Sequence, residues 1–241
     1  MGNYLVVGAT SGVGRELAIC LSREGHYVVG AARRENVLLE VQKKMLNESL
    51  MIPADITKKE EIVRLFEKIN QKNIKLDGMV YCAGICDHRT VRATELEDLQ
   101  KMYAVNVFGY FECCKLFAKT KYSNKGSSIV GISSYAAVMK ESGMVSYAMT
   151  KNAMNVQSEV MAKEFAKRRI RINTVMPAVI KSKMTGGENN WTEEEIKAID
   201  NIQTFGVIPI ENVVGTIEFL LSDTAEYITG QSIVINAGYH G

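Results

Sequence analysis

"VVGATSGVGRELA", residues 6–18, is the stretch whose reading decides the fold. Two β-branched residues run into a turn holding Gly8, Gly12 and Gly14, and an amphipathic run follows at once. Glycine lets a backbone take positive φ, and a phosphate that comes close meets free N–H groups and the positive end of a helix dipole. The turn, with Thr10, Ser11 and Val13 between and beside its glycines, therefore points to a bound nucleotide. Its spacing, G-x-x-x-G-x-G, differs from the G-x-G-x-x-G fingerprint, and such a turn can also be purely structural. The rest of the chain must decide.

Outward from this turn, short apolar runs alternate with longer helical patterns. Strands are predicted at "NYLVVGA", "HYVVGAA", "SLMIPAD", "LDGMVYCAG", "SSIVGISS", "RIRINTVM" and "QSIVINAG". Helices are predicted over 12–25, 35–47, 58–72, 95–122, 145–168, 192–202 and 211–222. Thr57 with Glu60, and Thr192 with Glu195, read as capping boxes that open two of them. Strands apolar on both faces and separated by helices indicate a sheet covered on both sides. The expected fold is α/β: a single doubly wound Rossmann-type domain over residues 1–241, with a seven-stranded, mostly parallel sheet.

Composition excludes several classes. A net charge of +2 gives no reason to propose nucleic acid as a partner. The basic run Lys167, Arg168, Arg169 and Arg171 falls at a helix C-terminus, where cations complement the macrodipole. No run is long and apolar enough to span a membrane. Five cysteines without a C-x-x-C pair fit free thiols in a reducing cytoplasm. Three scattered histidines argue against a metal site. Tyr147 and Lys151, four residues apart, share one helix face; alone they could be a reactive pair or an ordinary surface pair.

The motifs "GATSGVG", "YCAG", "NVFG", "ISS", "YAMTK" and "PAVIKS" come in an order and spacing that resembles the short-chain dehydrogenase/reductase family, from Asn3 to about Gly238. The resemblance implies a catalytic set of Asn106, Ser134, Tyr147 and Lys151, with Ser134 thirteen residues before the tyrosine. Tyr147 would be general acid in reduction and general base in oxidation, its pKa lowered by the neighbouring ammonium and the positive nicotinamide of the oxidised cofactor. Ser134 would polarise the substrate oxygen. Asn106 would orient a water linking Lys151 to solvent, and Lys151 would also bind the nicotinamide ribose.

The resemblance also implies the cofactor contacts. Gly8, Thr10, Ser11, Gly12, Val13 and Gly14 would take the pyrophosphate side. Asp55 and Ile56 would meet the adenine, and Ala83 and Gly84 would line the same cleft. Asn106, Tyr147 and Lys151 would lie near the nicotinamide, with Pro177, Ile180 and Ser182 on its carboxamide. Where NAD-dependent relatives carry an acid after the second strand, this chain has Ala32 followed by Arg33 and Arg34. Arginine can bind a 2′-phosphate, so NADP(H) is expected. Departures from the family pattern include Val7 for Thr, Ser11 for a basic residue, Cys82 for Asn and Ala178 for Gly.

A polar substrate lid is expected at about 183–208, hinged at Gly186 and Gly187. Lys119, Lys121 and Lys125 with Lys167 to Arg169 could dock an acidic carrier protein or be solvated charges. The expected activity is reversible hydride transfer between nicotinamide and a small-molecule carbonyl or secondary alcohol. A catalytically silent NADP(H)-binding sensor on the same fold is the alternative. More than one face of the helices at about 105–122 and 145–168 is apolar, and relatives pair these helices, so a homodimer or homotetramer is expected.

Overall fold

β1 (Asn3–Val7) runs through the middle of the sheet, and Leu5, Val6 and Val7 are wholly buried. Consecutive residues of a strand point to opposite faces, so three buried in a row require cover on both. The computed structural model describes residues 1–181 and 191–240 and supplies that cover. β2 (Tyr27–Ala32) and β3 (Ser49–Pro53) extend the sheet on one side of β1. β4 (Leu76–Tyr81), β5 (Ser123–Ile132), β6 (Arg171–Pro177) and β7 (Ser232–Ile235) extend it on the other. The order is β3-β2-β1-β4-β5-β6-β7, and every pairing is parallel.

One face of the sheet carries Leu5, Val7, Val29, Met79, Tyr81 and Ile129. It packs on α3 (Lys59–Gln71), α5 (Gly109–Phe117) and α7 (Val145–Phe165), through Phe66, Tyr110, Phe117 and Met154 among others. The opposite face carries Val6, Val28, Val80, Val130 and Val175. It packs on α1 (Gly12–Arg23), α2 (Glu35–Gln42) and α9 (Ile210–Leu221), through Leu17, Leu38 and Ile217. Each such side chain contributes about 1.5–3 kcal/mol by leaving water.

The helix expected over 95–122 is α4 (Leu96–Tyr103), a widened π turn at Ala104–Phe108, and then α5. It stops at Phe117, and β5 begins at Ser123, four residues earlier than its apolar core predicts. Those first residues are polar and pair only through Ser123 opposite Leu76, before a register shift. A short helix, α6 (Ala136–Met139), escaped the pattern because one turn has no period to read. α8 (Glu193–Asp200) opens with the predicted box, Thr192 and Glu195 bonding reciprocally.

The box at Thr57 and Glu60 does not form. The Thr57 amide and hydroxyl donate to Asp55 Oδ1 at 3.0 and 2.8 Å, and Lys58 caps α3 without a side-chain bond. Glu61, one residue on, accepts the Asp55 N–H instead at 2.8 Å. The aspartate outcompetes the helix for the threonine, as a local Asx turn does.

The basic run divides its work. Arg168 donates to the Ala118 and Ser123 carbonyls, each at 2.6 Å, so it caps α5 rather than its own helix. Arg171 is buried and donates to the carbonyls of Leu220, Leu221 and Ser222, closing the end of α9.

Candidate active site

Parallel order places the carboxyl ends of all seven strands on one rim, and the chain changes direction between β1 and β4. A cleft opens at such a switch point. Two glycines shape its floor. Gly8 has φ 91°, and a Cβ there would lie 2.6 Å from the Ala83 nitrogen, so the turn sits directly on the backbone leaving β4. Gly12 has φ 53°, and a Cβ there would meet nothing within 4 Å. The start of α1 is thus bare on its outer side. Ser11 is its N-cap in extended conformation, with no side-chain bond to the first N–H groups, which stay available to an anion. Thr10 and Val13 flank the same turn, and Gly14 lies against Cys82.

At the end of β2, Ala32 offers no carboxylate, and Arg33 and Arg34 are exposed. Arg34 donates to Thr10 Oγ1 at 3.3 Å, which brings its guanidinium to the glycine turn. Asp55 and the buried Ile56 follow β3. Burial would raise the Asp55 carboxyl, but the two Thr57 bonds and the charge of Arg33 outweigh it and hold it below its usual range.

On the other side of the cleft, α7 carries Tyr147 and Lys151 inward, both almost fully buried. The Tyr147 hydroxyl lies near enough to the Ser134 side chain for that group to favour the phenolate, and Ser134, just beyond β5, accepts the Ala136 N–H at 3.2 Å. Lys151 Nζ donates to the Ile132 carbonyl at 2.6 Å and lies 5.6 Å from the centre of the Tyr147 ring. Ser133 faces away and donates to the Lys151 carbonyl at 3.1 Å. Gly84 borders both Lys151 Nζ and Asn106 Oδ1.

Asn106 sits in the π turn, wholly buried. Its Oδ1 accepts the Ile85 N–H at 2.9 Å, and its Nδ2 donates to the Ile85 carbonyl at 2.9 Å and to Thr150 Oγ1 at 3.0 Å. The side-chain amide thus clamps the loop after β4 to α7, beside Lys151. A water-orienting role for that side chain would compete with these three bonds.

Burial moves both titratable groups toward neutrality. It pushes the Tyr147 phenol well above its usual range, with the Cys86 thiol adding to the rise and Ser134 opposing it. Among the chain's own residues desolvation dominates, and the lysine is itself depressed. Burial pulls Lys151 down to about 8, against smaller upward effects of Cys86 and Cys82. Burial also holds the Cys82 thiol up at about 12, despite Lys151.

A family model described as enoyl-(acyl carrier protein) reductase matches residues 8–240. L-xylulose reductase of Caenorhabditis elegans is 30% identical over 241 residues, which cover 98% of this chain and 94% of that protein. The 3-oxoacyl-(acyl-carrier-protein) reductase of Staphylococcus epidermidis is 27% identical and matched over 98% of each chain. Among solved structures, a short-chain dehydrogenase/reductase double mutant from Serratia marcescens superposes with a TM-score of 0.90 at 25% identity, covering 98% of this chain and 97% of that one. The chain belongs to the short-chain dehydrogenase/reductase family.

A second structure similar to this short-chain dehydrogenase/reductase is 4-hydroxyisoleucine dehydrogenase complexed with NADH, with a TM-score of 0.89 and 26% identity over 99% of this chain and 98% of that one. The residues that sequence reading assigned to the site lie on turns that follow β1 to β6 at the carboxyl rim of the sheet, or on α7 and the π turn. The exception is Ser182, which lies outside the described residues together with Gly186, Gly187 and the first part of the expected lid. Pro177 ends β6, and Ala178 and Ile180 follow it.

Four neighbours were not foreseen. Thr150 adjoins Lys151 in sequence, so its place on the inward face of α7 was readable. Cys86 and Met144 pack around Tyr147 from separate loops. Gln203, wholly buried, accepts the Val179 N–H at 2.7 Å and donates to the Gly206 carbonyl at 2.8 Å, fixing the loop that carries Ile180. Nothing local marks a glutamine 24 residues away as that anchor.

The depressed Lys151 has a measurable consequence. The folded chain releases this proton near pH 8, whereas an unperturbed lysine keeps it to about 10.5. Between these values the unfolded chain binds more protons, so stability from this group rises with pH; it is complete above the upper value and lost as pH falls through the lower. Lys151→Met carries no such proton. In urea unfolding, wild type should gain on Lys151→Met as pH rises from about 7.5 to about 10. A stability difference that stays flat across that range would show that the buried amine is not depressed.

Proposed function

We propose that this protein is an NADP(H)-dependent oxidoreductase that interconverts a carbonyl and a secondary alcohol, with Tyr147 as the proton-transferring group. The observation that carries this reading is the buried Tyr147 with Lys151 Nζ 5.6 Å from its ring centre and Ser134 alongside, on the carboxyl rim of the sheet that also bears the glycine turn. When bound, the nicotinamide cofactor would supply or accept the hydride.

The chain's own residues fit that group. The bare start of α1 and the turn from Gly8 to Gly14 would hold its pyrophosphate. Arg33 and Arg34 would bind a 2′-phosphate, Asp55 and Ile56 would border the adenine, and Ala83 and Gly84 would line the cleft. Lys151 would reach the nicotinamide ribose, and Asn106 would keep the loop after β4 in place. Pro177, Ile180 and Ser182 would edge the carboxamide.

Ser134 would donate to the carbonyl oxygen as it gains negative charge. Tyr147, protonated at neutral pH because it is buried, would give that oxygen its proton. An amine titrating near 8 can hold or release a proton close to working pH, which suits Lys151 to replenish Tyr147. The intact Ser134, Tyr147 and Lys151 set argues against the silent sensor. Relatives named for xylulose and for 3-oxoacyl carriers agree on a ketone and differ in what surrounds it. Lys121 is already paired with Glu67 at 2.7 Å, which leaves Lys119 and Lys125 as the freer lysines for an acidic carrier.

We also propose a homodimer or homotetramer. Phe108, Phe111, Val156 and Val160 are 44–60% exposed along the π turn, α5 and α7, and Phe219 and Val234 are 45% exposed on α9 and the edge strand β7. Two separate apolar faces match two symmetry axes.

Tyr147→Phe keeps the ring and removes the proton. Turnover of ketones or 3-oxoacyl thioesters, followed by NADPH absorbance, should fall by at least about a hundredfold while NADPH affinity stays within a small factor. Retained turnover would overturn the mechanism. Arg33→Ala should weaken NADPH by roughly tenfold or more and leave NADH almost unchanged; equal losses would remove Arg33 from the phosphate site. Light scattering at micromolar concentration should give two or four times the 26.7 kDa chain mass, and a monomer mass would refute the assembly.

A further inference from the structure

The proposed mechanism needs Asn106 in one place, and the helix that carries it is not regular there. Over Ala104–Phe108 the backbone widens into a π turn, and the Gly109 N–H bonds the Ala104 carbonyl, five residues back. In an α-helix that N–H would bond Val105, four residues back. The Val105 carbonyl instead accepts the Tyr81 hydroxyl at 2.6 Å.

Tyr81 is the last residue of β4, wholly buried, with its ring edge-on to Tyr110 at 5.3 Å. Burial keeps its phenol protonated far beyond neutral pH, so it is a permanent donor. Its reach depends on Gly109: a Cβ there would lie 2.5 Å from the Tyr81 hydroxyl and 2.8 Å from the Ile56 carbonyl. The strand end, the helix glycine and the widened turn therefore form one unit, and Asn106 follows directly after the carbonyl that Tyr81 holds.

We propose that Tyr81 is a positioning residue: its hydroxyl holds the Val105 carbonyl out of the α-helical pattern, and thereby sets Asn106 on Ile85 and Thr150 beside Lys151. The link to turnover rests on the proposed function; the link to Asn106 does not. Without the hydroxyl, Val105 can recover its carbonyl bond only from the Gly109 N–H. That rewinds the turn and rotates Asn106 by part of a helical step, away from its three partners. The Ile85 loop and Thr150 then lose their tie.

The test compares Tyr81→Phe with Tyr110→Phe, which removes a neighbouring buried hydroxyl bonded instead to Ser158 at 2.7 Å. The first readout is the pair of Asn106 side-chain amide resonances by NMR, assigned with Asn106→Asp. In Tyr81→Phe they should shift and lose protection from hydrogen exchange, whereas in Tyr110→Phe they should stay put. The second readout is activity: kcat should fall about ten- to a hundredfold in Tyr81→Phe, as for a displaced active-site group, with KM for NADPH little changed and the pH profile moved. Gly109→Ala, which pushes on the same hydroxyl, should reproduce the resonance shift. Unmoved Asn106 resonances in Tyr81→Phe would overturn the proposal, as would equal movement in Tyr110→Phe. If the resonances move while wild type turns over no carbonyl substrate, the positioning role stands and the proposed function fails. Should Tyr81→Phe not fold, Gly109→Ala with the same resonances decides the question.

Discussion

The turn after β1 lies so close to the backbone leaving β4 that only glycine fits at position 8. That contact joins the two strands at which the chain reverses its direction across the sheet, and the cleft is what remains above it. On one side it leaves the first N–H groups of α1 bare. On the other it sends residues 82–86 past Lys151 and on to Asn106, which grips Ile85 by both its backbone groups. A side chain at position 8 would push the glycine turn away from the backbone leaving β4.

Those polar groups stay buried because nearly all have partners. Lys151 would be costly to bury alone, yet it donates to Ile132 and lies beside the Tyr147 ring. Asn106 spends its amide on Ile85 and Thr150, and Ser133 spends its hydroxyl on the Lys151 backbone. Burial raises the Tyr147 phenol while lowering the Lys151 amine. A group meant to exchange protons near neutral pH needs that kind of environment.

The motifs were legible because each rests on local chemistry. Gly8 and Gly12 announce positive φ, and Tyr147 and Lys151 share a helix face by spacing alone. Thr192 and Glu195 cap their helix as the pattern requires, because nothing nearby competes. Thr57 and Glu60 show the same pattern without the box, because Asp55 captures the threonine first. The upward shift of Tyr147 among the chain's own residues was not legible for a related reason: a neighbouring charge can be read from spacing, but the degree of desolvation cannot.

By itself the sequence determined the alternation of elements, the family and the residue types that meet in the cleft, since hydrophobic period, glycine placement and motif order are properties of neighbours along the chain. Only the tertiary structure decided which polar groups bind one another. Tyr81 meets Val105 across 24 residues, Arg171 closes α9 across about 50, and Gln203 fixes Val179 from within the expected lid. Such pairings depend on which strand end lies beside which helix turn, and that is set by the packing of the whole sheet.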